Sequence, residues 1–475
     1  MERTLMRFKP ALLPLLKRLL GGALLISSLA LAAFRPLPAH ADAADSSSPQ
    51  SIWEWGTLTG DWGGHRKALK DKGIEFTINY IGEIMNVISG GVRRGSTYEG
   101  QLNVTTDLDL ERLLGWKGMK AQATIFQIHD VDNRNVESNV ESLADPSSID
   151  ALPTTRLFTA WIERDFEKSA SFRIGQLAAD SEFIIAPTAA GLINSTFGWP
   201  ALNMADLPSG GPAYPLATPG ARLLLGQDKP WSFLTAIFSG NPAGSHCTTN
   251  PQACDRYGLT FSFSGGALIF AEARYTAEKT GHDAGQAAIY KLGGWYHTGD
   301  FADQRFGTDR AGDEISLALP GVSPLMHRGN WGIYAVADQP LWSVGSRDIS
   351  AFLRGEVVPA DRNLVSWYVD GGIGIKAPFE SRPKDSLTVG LAYSRISNDA
   401  IALDREKVAT LGAGPIRSGE LAVEVSYIAQ ISPWWSLQPD FQYIVRPGGG
   451  APDPANPSSR IPNATVIGLR TTIKF

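Results

Sequence analysis

The chain has 475 residues, with 43 Lys/Arg against 48 Asp/Glu and a formal charge of −5. Six of the basic residues and one acidic residue fall in the first 41, so the remainder carries 37 basic and 47 acidic side chains and stands at −10. A nucleic-acid partner is excluded on that balance, because phosphate backbones call for a basic footprint.

Arg3, Arg7, Lys9, Lys17 and Arg18 precede the apolar run Leu19–Phe34, then Pro36, Pro38 and the small-x-small step Ala39-His40-Ala41. That pattern predicts an export signal over 1–41, cleaved after Ala41. The run is too short for a membrane anchor, which needs roughly 20 apolar residues. Residues 42–73 follow as an N-terminal periplasmic segment. Within it, WGTLTGDWGGHRKALKDKGIEF (55–76) places Asp61 to cap a short helix running to Lys72, and Gly73 to end it in a left-handed turn. The helix has little apolar surface, so Trp53, Trp55 and Trp62 are expected to anchor it at the mouth of what comes next.

From residue 74 to 475 the pattern is alternation with period two, the signature of strands. QLNVTTDLDL sets Leu102, Val104 and Leu108 against Gln101, Asn103, Thr105 and Asp107. ELAVEVSYIAQ and WSLQPDFQYIVR repeat the scheme. Three features favour a transmembrane antiparallel β-barrel over a soluble sandwich. Charges such as Arg354, Glu356 and Asp370 sit in mid-strand, which predicts a polar face in contact with water. Aromatics such as Trp331, Trp435 and Tyr443 lie near strand ends, as in interfacial girdles. The chain closes on an alternating segment ending in Phe475, like the signal that barrel-assembly machinery reads. Only a closed barrel leaves no strand edge in lipid.

Seventeen candidate strands emerge, and an odd number cannot leave both ends of the chain on one side. Merging the short candidates 257–264 and 267–277 into one crossing gives 16, with 18 as the alternative, and puts every long loop outside. Those loops are 129–154, 178–219, 240–256, 299–329, 397–417 and 445–463. Cys247 and Cys254, in a polar loop of an exported chain, predict a disulfide; zinc is the alternative, with His246 adjacent but no further ligands at hand. No metal or cofactor is expected.

Catalytic motifs are absent. The histidines after the leader (65, 129, 246, 282, 297, 327) form no HExxH, and no GxSxG occurs, though a barrel-embedded enzyme with a Ser–His pair needs no local motif. A pore needs a constriction instead. The segment AADSEFIIAPTAAGLINSTFGWPALNMADLPSGGPAYPLATPG (178–220) is far longer than a usual connection and rich in aromatics and proline. It is expected to fold inward, the alternative being an external lid. Sugars ask for aromatic faces and for Arg and carboxylate hydrogen bonds. Arg173, Phe352, Arg354, Glu356, Asp370, Glu424 and Arg470 are the candidate pore-lining set, exposed to a wet lumen. An anion-preferring or general pore would use the same arginines.

The opening stretch resembles the LTGDWGG-x-R-x-x-L-x-x-x-G-I motif of the carbohydrate-selective porins, the OprB family. The likeness continues through EIMNVISGG, YEGQLNVTTDLDLERLLGWKG, SFRIGQLAADSEF, GWYHTG, ADQPLW and LQPDFQYIVRPGG, in order along the chain. The resemblance implies a monomeric barrel in the outer membrane of a Gram-negative cell, in contact with lipid and lipopolysaccharide. It also implies passive diffusion of glucose and related sugars past an eyelet narrowed by inward-folded loops. Arg173 is the residue it assigns most directly, since it lies in SFRIGQ. Family members with an added periplasmic domain would need more chain before the first strand than this sequence offers.

Overall fold

The computed structural model describes residues 51–132, 134–166, 169–277 and 287–475. The expected export signal, 1–41, and residues 42–50 lie outside them. Sixteen strands form the barrel: β1 Ile74–Ser89, β2 Gly95–Asp109, β3 Met119–Asp130, β4 Thr154–Phe166, β5 Ala170–Leu177, β6 Thr218–Leu225, β7 Trp231–Ser239, β8 Ala267–Thr276, β9 Ile289–Thr308, β10 Ser323–Val344, β11 Arg347–Val357, β12 Val365–Lys376, β13 Ser386–Ile396, β14 Gly419–Ser432, β15 Trp435–Val445 and β16 Ala464–Lys474. Each pairs antiparallel with its sequence neighbours, and β1 closes the cylinder against β16 from Asn79↔Lys474 to Ser89↔Thr465. A short strand, Glu314–Ser316, adds to the outer end of β9.

Alternation fixes which side chains meet lipid. Phe172 and Ile174, Phe233 and Ile237, Leu353, Leu391 and Leu469 are exposed on the outer surface, while their immediate neighbours turn inward. Trp231, Tyr290, Trp331, Trp342, Trp367 and Tyr443 add exposed aromatics. An apolar belt with aromatic girdles is what a hydrocarbon slab selects.

Two expectations need correction. Residues 257–264 contribute nothing to a crossing strand, and β8 alone spans from 267. The Tyr-Leu-Phe-Phe alternation there is real, but Phe261 has φ 45°, which breaks a ladder. The segment instead lies over the outer end of β4, where Leu157 N–H donates to the Tyr257 carbonyl. Gly258 packs so closely on Leu157 that a Cβ would sit 1.8 Å from its carbonyl oxygen. The expected 299–329 loop is also shorter, because β9 and β10 continue as a tall ribbon to Thr308 and from Ser323. Against that ribbon packs a helix from 397–418, Asn398–Leu411, whose Glu406 pairs with Arg305 at 2.6 Å.

The N-terminal helix, His65–Asp71, starts from Gly64, yet Asp61 still caps it: its Oδ1 accepts Lys67 N–H at 3.1 Å. Gly73 ends the turn at φ 92°. Trp53 stacks on Trp434 at 5.8 Å, and the Trp434 indole donates to the Ile52 carbonyl. Leu58 N–H donates to Lys474 and Arg66 to the Phe475 carbonyl, so this segment latches the closing seam.

Candidate functional site

The loop 178–217, between β5 and β6, folds into the barrel. Phe183, Ile184, Leu192, Ile193, Phe197, Trp199 and Leu202 are all buried against wall residues Phe238, Phe270, Trp295, Tyr334, Phe352 and Tyr368. Phe183 meets Phe270 at 4.9 Å, and Phe197 meets Phe352 edge-on at 6.2 Å. Burial at about 25 cal/mol per Å² pulls such a segment inward. The wall is relieved to admit it: a Cβ on Gly390 would lie 2.5 Å from Leu192 and 2.7 Å from Phe197.

An irregular loop brings orphan backbone groups inside, and each needs a partner. Wall carboxylates supply them. Glu272 on β8 accepts Ile184 N–H, and Asp338 on β10 accepts the Thr188 N–H and hydroxyl at 2.7 and 2.8 Å. Glu424 on β14 accepts the N–H groups of Ile193 and Asn194. Arg354 on β11 donates to the Ile184 and Thr196 carbonyls and forks onto Asp370 of β12. Glu356 takes Asn203 Nδ2 at 3.0 Å and the Trp295 indole at 2.7 Å. In return Asp206 of the loop accepts Leu364 and Val365 N–H, and burial holds its carboxyl well above the usual range. Asp180, at the loop root, accepts Tyr214 N–H at 2.7 Å; burial pushes it up to about 6.

The wall from β3 to β9 differs. Arg173 pairs with Glu163 at 2.7 Å and with Glu182 of the loop at 2.6 Å, and its guanidinium lies 3.7 Å over the Trp161 ring. Arg222 joins both acids at 2.6 and 3.0 Å. Lys120 reaches Asp165 at 2.7 Å, and Arg274 pairs with Glu272 and donates to the Glu182 carbonyl. Arg173, Glu182 and Arg274 keep 18–20% of their side-chain surface exposed, and Lys120 keeps 47%.

The residues anticipated from sequence therefore all point inward but do not form one set. Arg173 lies in the partly open network. Phe352, Arg354, Glu356, Asp370 and Glu424 are each at most 4% exposed, covered by the loop rather than wet. Arg470 binds Glu83 on β1 and reaches Ser148 of the loop 131–153. Asp338, Glu272, Glu163, Glu182, Arg222 and Trp161 were not anticipated, although the same alternation marks Glu163 in WIERDF. Cys247 and Cys254 are joined in a disulfide, Cα atoms 5.9 Å apart, well away from this network in the loop between β7 and β8.

A 16-stranded barrel with a charged inner wall and a loop strapped across it has the geometry of a diffusion channel. The sequence from 93 to 475 matches the family described as carbohydrate-selective porin, OprB family. The chain belongs to that family. Porin B of Pseudomonas aeruginosa is 26% identical over 466 residues, covering 92% of this chain and 95% of its own. Among solved structures, the high-pH form of Pseudomonas putida OprB superposes with TM-score 0.77 at 24% identity, covering 89% of this chain and 99% of its own. Its low-pH form gives 0.52 at 19% identity. This OprB-family member is an outer-membrane channel for carbohydrate diffusion in a Gram-negative cell.

Proposed function

We propose that sugar passes along the β3–β9 side of the lumen and is selected by Arg173, Glu182, Arg274 and Lys120. The observation that carries this is the Arg173 guanidinium, held over the Trp161 ring between two carboxylates and still partly open. Alternating donors and acceptors suit hydroxyl pairs and favour neither sign of ion. Phe352, Arg354, Glu356, Asp370 and Glu424 act on the sugar indirectly, by holding the loop that shapes the passage. Arg470 braces the neighbouring loop through Ser148.

The cargo crosses unchanged on this reading, which the family's description as a porin supports. The chain works as a monomer, is exported on the 1–41 signal, and is inserted through recognition of its Phe475 end.

Single-channel conductance in a planar bilayer, titrated with glucose, sucrose and a neutral polyol, tests the reading. Saturable block by one sugar, weakened in Arg173→Ala, is expected. Conductance that no sugar blocks would make this a general porin. Strong preference for anions without sugar block would give the arginines an ionic role.

A further inference from the structure

The loop 131–153, between β3 and β4, carries a polar cluster that the sugar path does not use. Carboxylate oxygens of Glu137, Asp145 and Asp150 all lie within 4.8 Å of one another. They grade from exposed Glu137, through half-buried Asp145, to Asp150 at 8% exposure. Clustered acids alone would say little. The barrel wall supplies a second, independent observation. Glu99 on β2 is 3% exposed; its Oε1 accepts Val136 N–H at 2.9 Å, while its Oε2 is buried without a hydrogen-bond partner.

Glu99 belongs electrostatically to the same cluster. Glu99, Glu137 and Asp150 all act by charge on Asp145. Among the described residues, none of the four takes part in an ion pair. Nearby Arg470 is turned to Glu83. The donors present are neutral: Asn135 and Glu137 N–H to Asp150, and Ser147 N–H to Asp145. Such groups soften the repulsion among clustered carboxylates but do not cancel it.

We propose that the loop 131–153 binds a calcium ion through Glu137, Asp145 and Asp150, with the unpartnered Glu99 Oε2 facing the ion from the barrel wall. The donor set is all oxygen, with neither imidazole nor thiolate, which selects a hard cation. Calcium takes a flexible shell of about 6–8 oxygens at about 2.4 Å, whereas magnesium demands a near-ideal octahedron at about 2.1 Å. Donors drawn from a loop and a strand also suit the irregular shell that calcium tolerates. The ion would brace the constriction. The Asp145 carbonyl accepts the N–H and hydroxyl of Ser195 in the inward-folded loop, both at 2.9 Å, and the Pro146 carbonyl accepts Gln442 of β15.

The test uses the full chain refolded in detergent without lipopolysaccharide, stripped with EDTA and titrated with calcium chloride by calorimetry at pH 7.5. One saturable site per chain is expected, with a dissociation constant of about 10⁻⁵–10⁻³ M. At least tenfold weaker binding is expected in Asp150→Asn. Glu137→Gln, at an exposed position that folding tolerates, should weaken it likewise. Binding should also weaken at pH 5, because the ligands must lose protons. No saturable binding up to about 10 mM calcium, well past the weakest sites of this kind, overturns the proposal. So does calcium binding of equal strength in both variants, and magnesium binding as tightly as calcium overturns the choice of ion.

Discussion

The two sides of the inner wall use the same residue types in the same alternation, yet they finish in different states. From β10 to β15, Asp338, Arg354, Glu356, Asp370 and Glu424 are sealed beneath the inward-folded loop, each engaging at least one loop group or the charge beside it. From β3 to β9, Lys120, Glu163, Arg173, Arg222 and Arg274 largely neutralise one another, and several keep an open edge. A mid-strand charge in a barrel can thus be a socket or a lining, and the loop above it decides which. Sealed charges are costly to disturb, whereas open ones are cheap to disturb and more directly placed to touch cargo.

The largest expected effect comes from Arg354→Ala. It strands Asp370 in a dry site and frees the Ile184 and Thr196 carbonyls, at about 3–5 kcal/mol, the usual cost of breaking a buried pair. Lower thermal stability and a wider, noisier channel should follow. Unchanged values for both would abolish the distinction between the two walls. Asp180→Asn should act in the other direction. A carboxyl raised to about 6 in the fold, against about 3.8 unfolded, leaves stability intact below pH 4 and removes it as pH climbs through 6. The asparagine should therefore gain about 2–3 kcal/mol at pH 7.5 and nothing at pH 3.5. A pH-independent difference between the two proteins in thermal melts would refute this.

Arg173→Ala should leave thermal stability nearly unchanged and weaken glucose block about tenfold, the worth of one charged hydrogen bond of about 1.4 kcal/mol. Full block in this variant would move the sugar path away from the β3–β9 wall. Trp53→Ala is the smallest change. It removes the stack on Trp434 at the rim, worth about 1 kcal/mol. A slightly lower melting temperature with identical conductance is the outcome that keeps the rim separate from the passage.

Strand number and facing were legible because lipid enforces period two on every crossing. The cylinder followed from counting, since parity and loop length together leave few solutions. What alternation could not report is whether an inward side chain is wet. Arg354 and Arg173 look alike in sequence, and only the path of residues 178–217 separates them. The loop's apolar content showed that it folds inward, but not which carboxylate would accept which N–H. Residues 257–264 misled for a related reason: alternation over eight residues also fits a segment lying on a neighbouring strand end, and nothing local marks the positive φ at Phe261.

The seam has a consequence for the order of events during assembly. β1 lacks one of its two partners until β16 arrives, and the bonds from Leu58 and Arg66 to the chain end wait for Lys474 and Phe475. Closure is thus a late step that joins the two ends of the sequence at once. A nascent barrel delivered from its first strand stays an open sheet through fifteen strands, needing a protected edge throughout. The tryptophan-rich stretch at 53–62 then serves as the clasp that records completion.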